Sequence, residues 1–265
     1  MTGRVVVTVA DGIAEVRLNR PDKMNALDPG MFDGLLAAAE RLGGDASLRA
    51  VVLHGEGRAF CAGLDMASFA AMGGGNGIKG LAPRTHGIAN RFQYAAWAWR
   101  ELPVPVIAAV HGVAYGGGLQ VALGADMRYA APGTKFSVME IKWGLVPDMA
   151  GTQVLRHLMR DDVIRDLTFT GRVVDADEAL SLGLVTRVID DPLAAARAAA
   201  ADIAGKSPDA MRAAKRLLNR ASVVEPGAGL IAESVEQDVL IGSPNQLEAV
   251  AANLEKRKPA FRDPA

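Results

Sequence analysis

The feature that most constrains this chain is a short apolar run, from Val104 to Val110, that leads into Gly116-Gly117-Gly118 and a helical pattern from about Leu119. Apolar residues at nearly every position, rather than at every second one, mark a strand covered on both faces. Ala50–His54 repeats the pattern. A chain of 265 residues, half of them hydrophobic, can build one large core of that kind with at most a small appended unit.

Around these strands the local signals are clear. Val5, Val7 and Val9 alternate with other residues up to Asp11-Gly12, and apolar positions resume from Ile13 to Leu18, which predicts a β-hairpin on a tight turn. Asp28-Pro29 offers an N-cap and a first-turn proline, Leu35, Ala39 and Leu42 continue one helical face, and Gly43-Gly44 ends it. A helix is predicted over Ile88–Glu101 and a strand region over Met127–Met139. Asp175 with Glu178, Ser207-Pro208, and Ser243-Pro244 with Gln246 are three helix starts in the last third. The expected organisation is an α/β core of β–β–α units over residues 1–200 and a helical region over 201–265. The stripe Leu247, Val250, Ala251 and Leu254 can pack on the chain's own core or on a second subunit. Met72–Gly87 reads as a surface loop, either a lid over a pocket or a plain linker.

Composition removes several function classes. A net charge of −1 without any long Lys/Arg block gives no footprint for nucleic acid or an anionic membrane. The most apolar stretch is interrupted by Pro105, His111, three glycines and Gln120, so no bilayer helix is expected, and the chain reads as soluble. A single cysteine, Cys61, permits no internal disulfide and fits a reducing cytoplasm. His54, His86, His111 and His157 form no close-spaced ligand pair, so no metal is expected. Gly205-Lys206-Ser207 lacks the upstream glycine of a phosphate loop, where Ala200 stands, and Gly116–Gly118 lacks the spacing of a dinucleotide fingerprint.

Two segments run from a strand into small residues and then turn: Phe60-Cys61-Ala62-Gly63-Leu64-Asp65 and Tyr115-Gly116-Gly117-Gly118-Leu119. Small residues let a ligand approach bare backbone N–H groups, and two such sites facing each other would make an oxyanion hole. By themselves the segments read equally well as ordinary glycine turns.

Ordered along nearly the whole chain are Leu18-Asn19-Arg20-Pro21-Asp22-Lys23-Met24-Asn25-Ala26-Leu27, Gly57-Arg58-Ala59-Phe60-Cys61-Ala62-Gly63-Leu64-Asp65, Val106-Ile107-Ala108-Ala109-Val110-His111-Gly112, Thr170-Gly171-Arg172 and Glu255-Lys256-Arg257-Lys258-Pro259. In these motifs the chain resembles the crotonase, or enoyl-CoA hydratase/isomerase, superfamily. The resemblance implies a spiral of β–β–α units with a C-terminal helical oligomerisation region, and a homotrimer or dimer of trimers. It implies an acyl-CoA thioester as substrate, with no cofactor beyond the coenzyme A that the substrate carries. The oxyanion-hole N–H groups would fall on Leu64 and Gly117, and the CoA groove on Lys23, Met24, Ala26, Ala62, Gly63 and Asp65. Lys256–Lys258 would either reach a CoA phosphate or form a solvated helix end.

Hydratases of this family work with two glutamates, and here the first position is Gln120 while the second, Glu140, is kept. An amide has no usable pKa near neutrality, so Gln120 can orient a water or a carbonyl but cannot carry protons as a carboxylate does. Asp148 follows Glu140 by eight residues, the spacing of the family's dienoyl-CoA isomerases. The expected activity is double-bond isomerisation of an unsaturated acyl-CoA with Glu140 as base and Asp148 as second proton carrier. Hydration by Glu140 with water positioned by Gln120 is the alternative, and a non-catalytic CoA-binding protein is the alternative from another class.

Overall fold

The computed structural model describes residues 3–65, 67 and 80–264. Strands β1 (Val5–Ala10) and β2 (Ile13–Leu18) pair antiparallel, with Val7 opposite Val16, across the expected turn. Asp11 and Gly12 both take positive φ, 51° and 75°, the left-handed pair that a two-residue hairpin turn with the strands' own twist demands. From β2 the sheet continues in parallel through β3 (Ala50–Gly55), β4 (Val106–Val110), β6 (Met127–Ala130) and β9 (Arg187–Val188), in the order β1-β2-β3-β4-β6-β9. A second sheet of three strands joins β5 (Val113–Tyr115), β7 (Lys135–Ser137) and β8 (Val174–Asp175).

Every residue of β3 and β4 is buried, as their unbroken apolar runs require. Val51, Leu53, Val106, Ala108 and Val110 face the main core with helices α1 (Pro29–Gly43), α2 (Arg91–Glu101) and α3 (Gly117–Leu123). Their neighbours Ala50, Val52, Ile107 and Ala109 face the other way, onto Ala196 and Ala200 of α7 (Pro192–Ala204). Between these lie α4 (Gly151–Leu155), α5 (Asp161–Thr170) and α6 (Ala176–Ser181), and the chain ends in α8 (Pro208–Ala221), α9 (Pro226–Leu240) and α10 (Pro244–Glu255). Among the described residues no helix is long and apolar enough to cross a membrane.

Several boundaries move from their expected places. The region Met127–Met139 is two strands in two sheets, β6 and β7, divided by a turn at Gly133 with φ 75°. Helix α2 begins at Arg91 rather than Ile88, because Asn90 and Gln93 form a reciprocal capping box there. The strand β4 begins at Val106, after Pro105, which has no N–H to give to a ladder. Gln246 reaches the N–H of Gly242, one residue outside the Ser243 cap, and the Glu178 carboxylate turns to Arg172 rather than back to Asp175. Of the Met72–Gly87 loop, residues 72–79 lie outside the described residues.

Candidate active site

A short 3-10 turn, Pro21–Lys23, brings Met24 and Asn25 into the left-handed region, with φ of 48° and 55°. The strain of two non-glycine residues there is offset by the side chain of Asn25, which is fully buried. Its Nδ2 donates to the carbonyls of Glu56, Ala59 and Phe60 at 3.0, 2.8 and 3.1 Å, and its Oδ1 accepts from the N–H of Arg20 at 2.8 Å. One amide thus joins the 20–26 loop to the 56–60 loop. Three backbone bonds continue the seam: Ala62 to Met24 at 2.9 Å, Leu27 to Gly63 at 2.7 Å and Asp65 to Leu27 at 3.0 Å. Arg20 Nη1 stands 2.6 Å from Asp65 Oδ2, a largely buried ion pair across the same seam.

Behind that seam the two glycine segments lie side by side. The N–H of Cys61 donates to Val113 at 3.1 Å and that of Tyr115 to Cys61 at 3.1 Å. Gly63 needs its hydrogen side chain twice over, since its φ is 89° and a Cβ would sit 2.7 Å from the carbonyl oxygen of Tyr115. Gly117 opens α3, and a Cβ there would sit 2.9 Å from both Leu27 and Met149. The N–H groups of Leu64 and Gly117 have no hydrogen-bond partner among the described residues, and both residues line one cavity of about 640 Å³. That size falls within the usual range for ligand sites.

Lys23, Met24, Ala26, Ala62, Gly63 and Asp65 line the same cavity, as do Gln120, Glu140 and Asp148, so every expected site residue is brought to one place. Leu27, Phe32, Leu81, Phe92, Met139, Trp143, Leu145 and Met149 give it a mainly apolar wall, with the Phe32 and Phe92 rings edge to face at 5.0 Å. Asp65 has a strut's role as well, because Arg20 and the N–H of Ala67 hold its carboxylate. None of Lys256, Arg257 and Lys258 lines the cavity of its own chain, and the Arg257 guanidinium is held by Glu248 and Glu255.

Glu140 begins a second 3-10 turn, Glu140–Trp143, and is buried. Its Oε1 accepts from Gln120 Nε2 at 2.6 Å, while its Oε2 is buried with no partner among the described residues. Burial pushes its carboxyl above the ordinary carboxylate range, the Gln120 hydrogen bond acts in the opposite direction, and the charge of Asp148 adds a further upward push. Asp148 is open to the cavity, yet enough protein surrounds it that burial raises its carboxyl too. Asp148 caps no helix: Ala150, at φ 69°, stands at the N-cap of α4 without a side-chain bond. Gln120 is 3 % exposed, and its Oε1 accepts from the N–H groups of Met149 at 2.8 Å and Gly151 at 2.9 Å. Cys61 is fully buried, and burial pushes its thiol up to about 12, so it is a packed residue of the seam. Among the described residues no group of three or more His, Cys, Asp or Glu side chains is placed to hold a metal ion.

Residues 8–264 match the Enoyl-CoA hydratase/isomerase family. The chain belongs to the crotonase superfamily. Within this superfamily it is 37% identical over 251 residues to "Probable enoyl-CoA hydratase echA8" of Mycobacterium tuberculosis, covering 93% of each chain. It is 36% identical over 217 residues to the mitochondrial Delta(3,5)-Delta(2,4)-dienoyl-CoA isomerase of Rattus norvegicus, covering 79% of this chain and 66% of that protein. The crystal structure of enoyl-CoA hydratase from Bacillus anthracis superposes with a TM-score of 0.89 at 30% identity, covering 98% of this chain and 100% of that one. The crotonase fold and an enoyl-CoA hydratase/isomerase enzyme are therefore what the chain is.

Sequence reasoning passed over three features of this crotonase site. The Asn25 amide stood inside a quoted motif, but its three acceptors lie more than thirty residues away in sequence. The Arg20–Asp65 pair spans 45 residues and leaves no local signal. Phe32 was findable, since it falls on the apolar face of α1 beside Leu35 and Leu36.

Proposed function

We propose that this crotonase isomerises the double bond of an unsaturated acyl-CoA, with Glu140 as the base that takes the α-proton. The observation that carries this reading is the state of Gln120: both lone pairs of its carbonyl oxygen are filled by backbone N–H groups. A water nucleophile must donate its proton to an acceptor, and Gln120 has none to offer. Glu140, by contrast, lines the cavity and has an Oε2 with no hydrogen-bond partner among the described residues.

In the proposed step the α-carbon C–H bond breaks, the proton goes to Glu140 Oε2, and the electron pair is spread over the dienolate onto the thioester oxygen. The N–H groups of Leu64 and Gly117 would receive that charge, each such donor being worth roughly 10²–10³ in rate. Returning the proton to the γ-carbon of a β,γ-enoyl substrate gives the α,β-enoyl product. With a dienoyl substrate a proton is added at the ε-carbon: Asp148, as the second proton carrier, gives its proton there, and the proton that Glu140 took passes back to Asp148 through solvent before the next turnover. The carbon skeleton and the electron count are unchanged, so the residues named here need no oxidant or reductant. Water addition is the second reading, favoured by the hydratase name of the mycobacterial relative.

The exposed apolar residues of the C-terminal helices support assembly into a trimer or a pair of trimers, and the free buried thiol fits a reducing cytoplasm. The deciding experiment is product analysis with an α,β-enoyl, a β,γ-enoyl and a conjugated dienoyl-CoA, on the parent and on Glu140→Gln. Isomerisation by the parent that falls by roughly 10²-fold or more in Glu140→Gln is the expected result. Full activity in Glu140→Gln overturns the mechanism.

A further inference from the structure

We propose that Gln120 is the positioning residue of this site: its amide, locked by two backbone donors, holds Oε1 of Glu140, leaves Oε2 to take the proton and fixes the base to the turn that carries Asp148. The inference deepens the isomerase reading and rests on it. An amide can be placed either way round in a protein, and its orientation decides whether it gives or takes a hydrogen bond. Here the choice is made by the surroundings. The N–H groups of Met149 and Gly151 both point at one Gln120 atom, at 2.8 and 2.9 Å, and only an oxygen can accept them. Turning the amide over would set an NH₂ against two N–H donors in a buried site. The NH₂ is therefore committed to face Glu140, where it meets Oε1 at 2.6 Å.

Two consequences follow for Glu140. Its Oε1 already accepts from Gln120, so Oε2, without a hydrogen-bond partner among the described residues, is the oxygen with both lone pairs uncommitted for the proton of the reaction. A hydrogen bond to the ionised form also keeps that form available in a buried place where desolvation works against it. Asp148 is adjacent in sequence to Met149, whose N–H is one of the two anchors, so the two carboxylates are held through one side chain. The space around the amide is tight: a Cβ on Gly151 would lie 2.7 Å from Gln120 Oε1. Gln120 lies at the cavity wall, but the oxygen it would need to accept a proton is spent on backbone partners.

The test is the pH profile of isomerisation, read with a β,γ-enoyl-CoA. The base works ionised, so activity is present above its pKa and lost as pH falls through it. Gln120→Met removes the donor and keeps the volume, and should move the acidic limb upward by about one to two pH units, the size of one hydrogen bond to a charged group. Gly151→Ala should move it in the same direction by pushing the amide aside without deleting any group, which covers the case in which Gln120→Met does not fold. A role for Gln120 in stability alone would lower the melting temperature and leave the limb in place. An unmoved or lowered limb in the folded variants, with Glu140→Gln inactive, overturns this proposal and leaves the isomerase reading standing. An active Glu140→Gln overturns that reading itself, and this inference with it.

Discussion

Gly118 lies so close to Cys61 that a Cβ on the glycine would stand 2.5 Å from the Cys61 carbonyl oxygen and 2.7 Å from its Sγ. The contact presses the helix that begins at Gly117 against the segment that carries Leu64. The spacing of the two free N–H groups is thus set by a backbone-to-backbone approach that tolerates no side chain.

Gly118→Ala should therefore harm catalysis more than binding. The added methyl has only backbone and a buried thiol to push against, so the two segments must part. Overpacking of this kind costs about 1–3 kcal/mol of stability. Misplacing one oxyanion donor should lower kcat by roughly 10²-fold or more, with a smaller change in KM. Melting temperature and steady-state kinetics on one preparation check both, and wild-type kcat in Gly118→Ala would show that the donors are positioned by something else.

Cys61 should be silent toward thiol reagents in the native protein. It is fully buried, its Sγ donates to the Asn25 carbonyl at 3.1 Å, and burial pushes its pKa up to about 12. Almost none of it is thiolate near neutrality, and the thiolate is the reactive form. Labelling at neutral pH should reach one equivalent only after denaturation. Stoichiometric labelling of the folded, active protein would contradict the packed role.

What the sequence made legible, and what it hid, divides along the range of the interactions. The β1–β2 hairpin, the Asp28 cap and the buried runs of β3 and β4 are set by neighbours within a turn or a strand, and they stand where the local signals placed them, apart from the start of β4. The site residues were reached differently. Gly63 and Gly117 look like ordinary turn glycines until the motifs around them are matched to a family, because what makes them necessary is each other's loop. Gln120 shows the limit most clearly. Its replacement of an acid was visible as one letter, but its three hydrogen-bond partners at 140, 149 and 151 come together only in the folded chain.

The C-terminal helices should bury their outer face between copies of the chain. Leu230, Ile231 and Val239 on α9, and Leu247, Val250 and Leu254 on α10, are all exposed in the single chain, and exposed apolar faces of this kind mark contact surfaces. Sedimentation at micromolar protein should give a trimer or hexamer, and Ile231→Lys combined with Leu254→Lys should shift it toward monomer. A monomeric mass for the parent would remove the oligomer proposal.

Asp148→Asn should separate the two carboxylates by substrate and by pH. In its ionised form Asp148 pushes the Glu140 carboxyl upward, so removing that charge should move the acidic limb of β,γ-enoyl isomerisation to lower pH, opposite to Gln120→Met. The rate above that limb should change little, because Glu140 can carry the proton between the α- and γ-carbons by itself. Dienoyl isomerisation should fall by roughly 10²-fold or more, since the ε-carbon loses its proton donor. Equal and negligible effects on both substrates would leave Asp148 as a residue of the turn.

Gln120→Glu is the variant that can convert one reaction into the other. One oxygen of the new carboxylate inherits the N–H groups of Met149 and Gly151, and the second takes the place of Nε2 against Glu140 Oε1, now 2.6 Å away in the parent. Two carboxylates at such a distance cannot both ionise, so the pair holds one shared proton near neutrality. Water addition needs that combination, a carboxylate to take the proton of water as its oxygen joins the β-carbon and a carboxylic acid to protonate the α-carbon. Hydration of crotonyl-CoA should rise by roughly 10²-fold, the usual contribution of a positioned acid or base. Isomerisation of the β,γ-enoyl substrate should fall at the same pH, because Glu140 no longer holds its charge alone. A parent that already hydrates crotonyl-CoA as fast as Gln120→Glu would reverse the order of the two readings and make this chain a hydratase that works through Glu140.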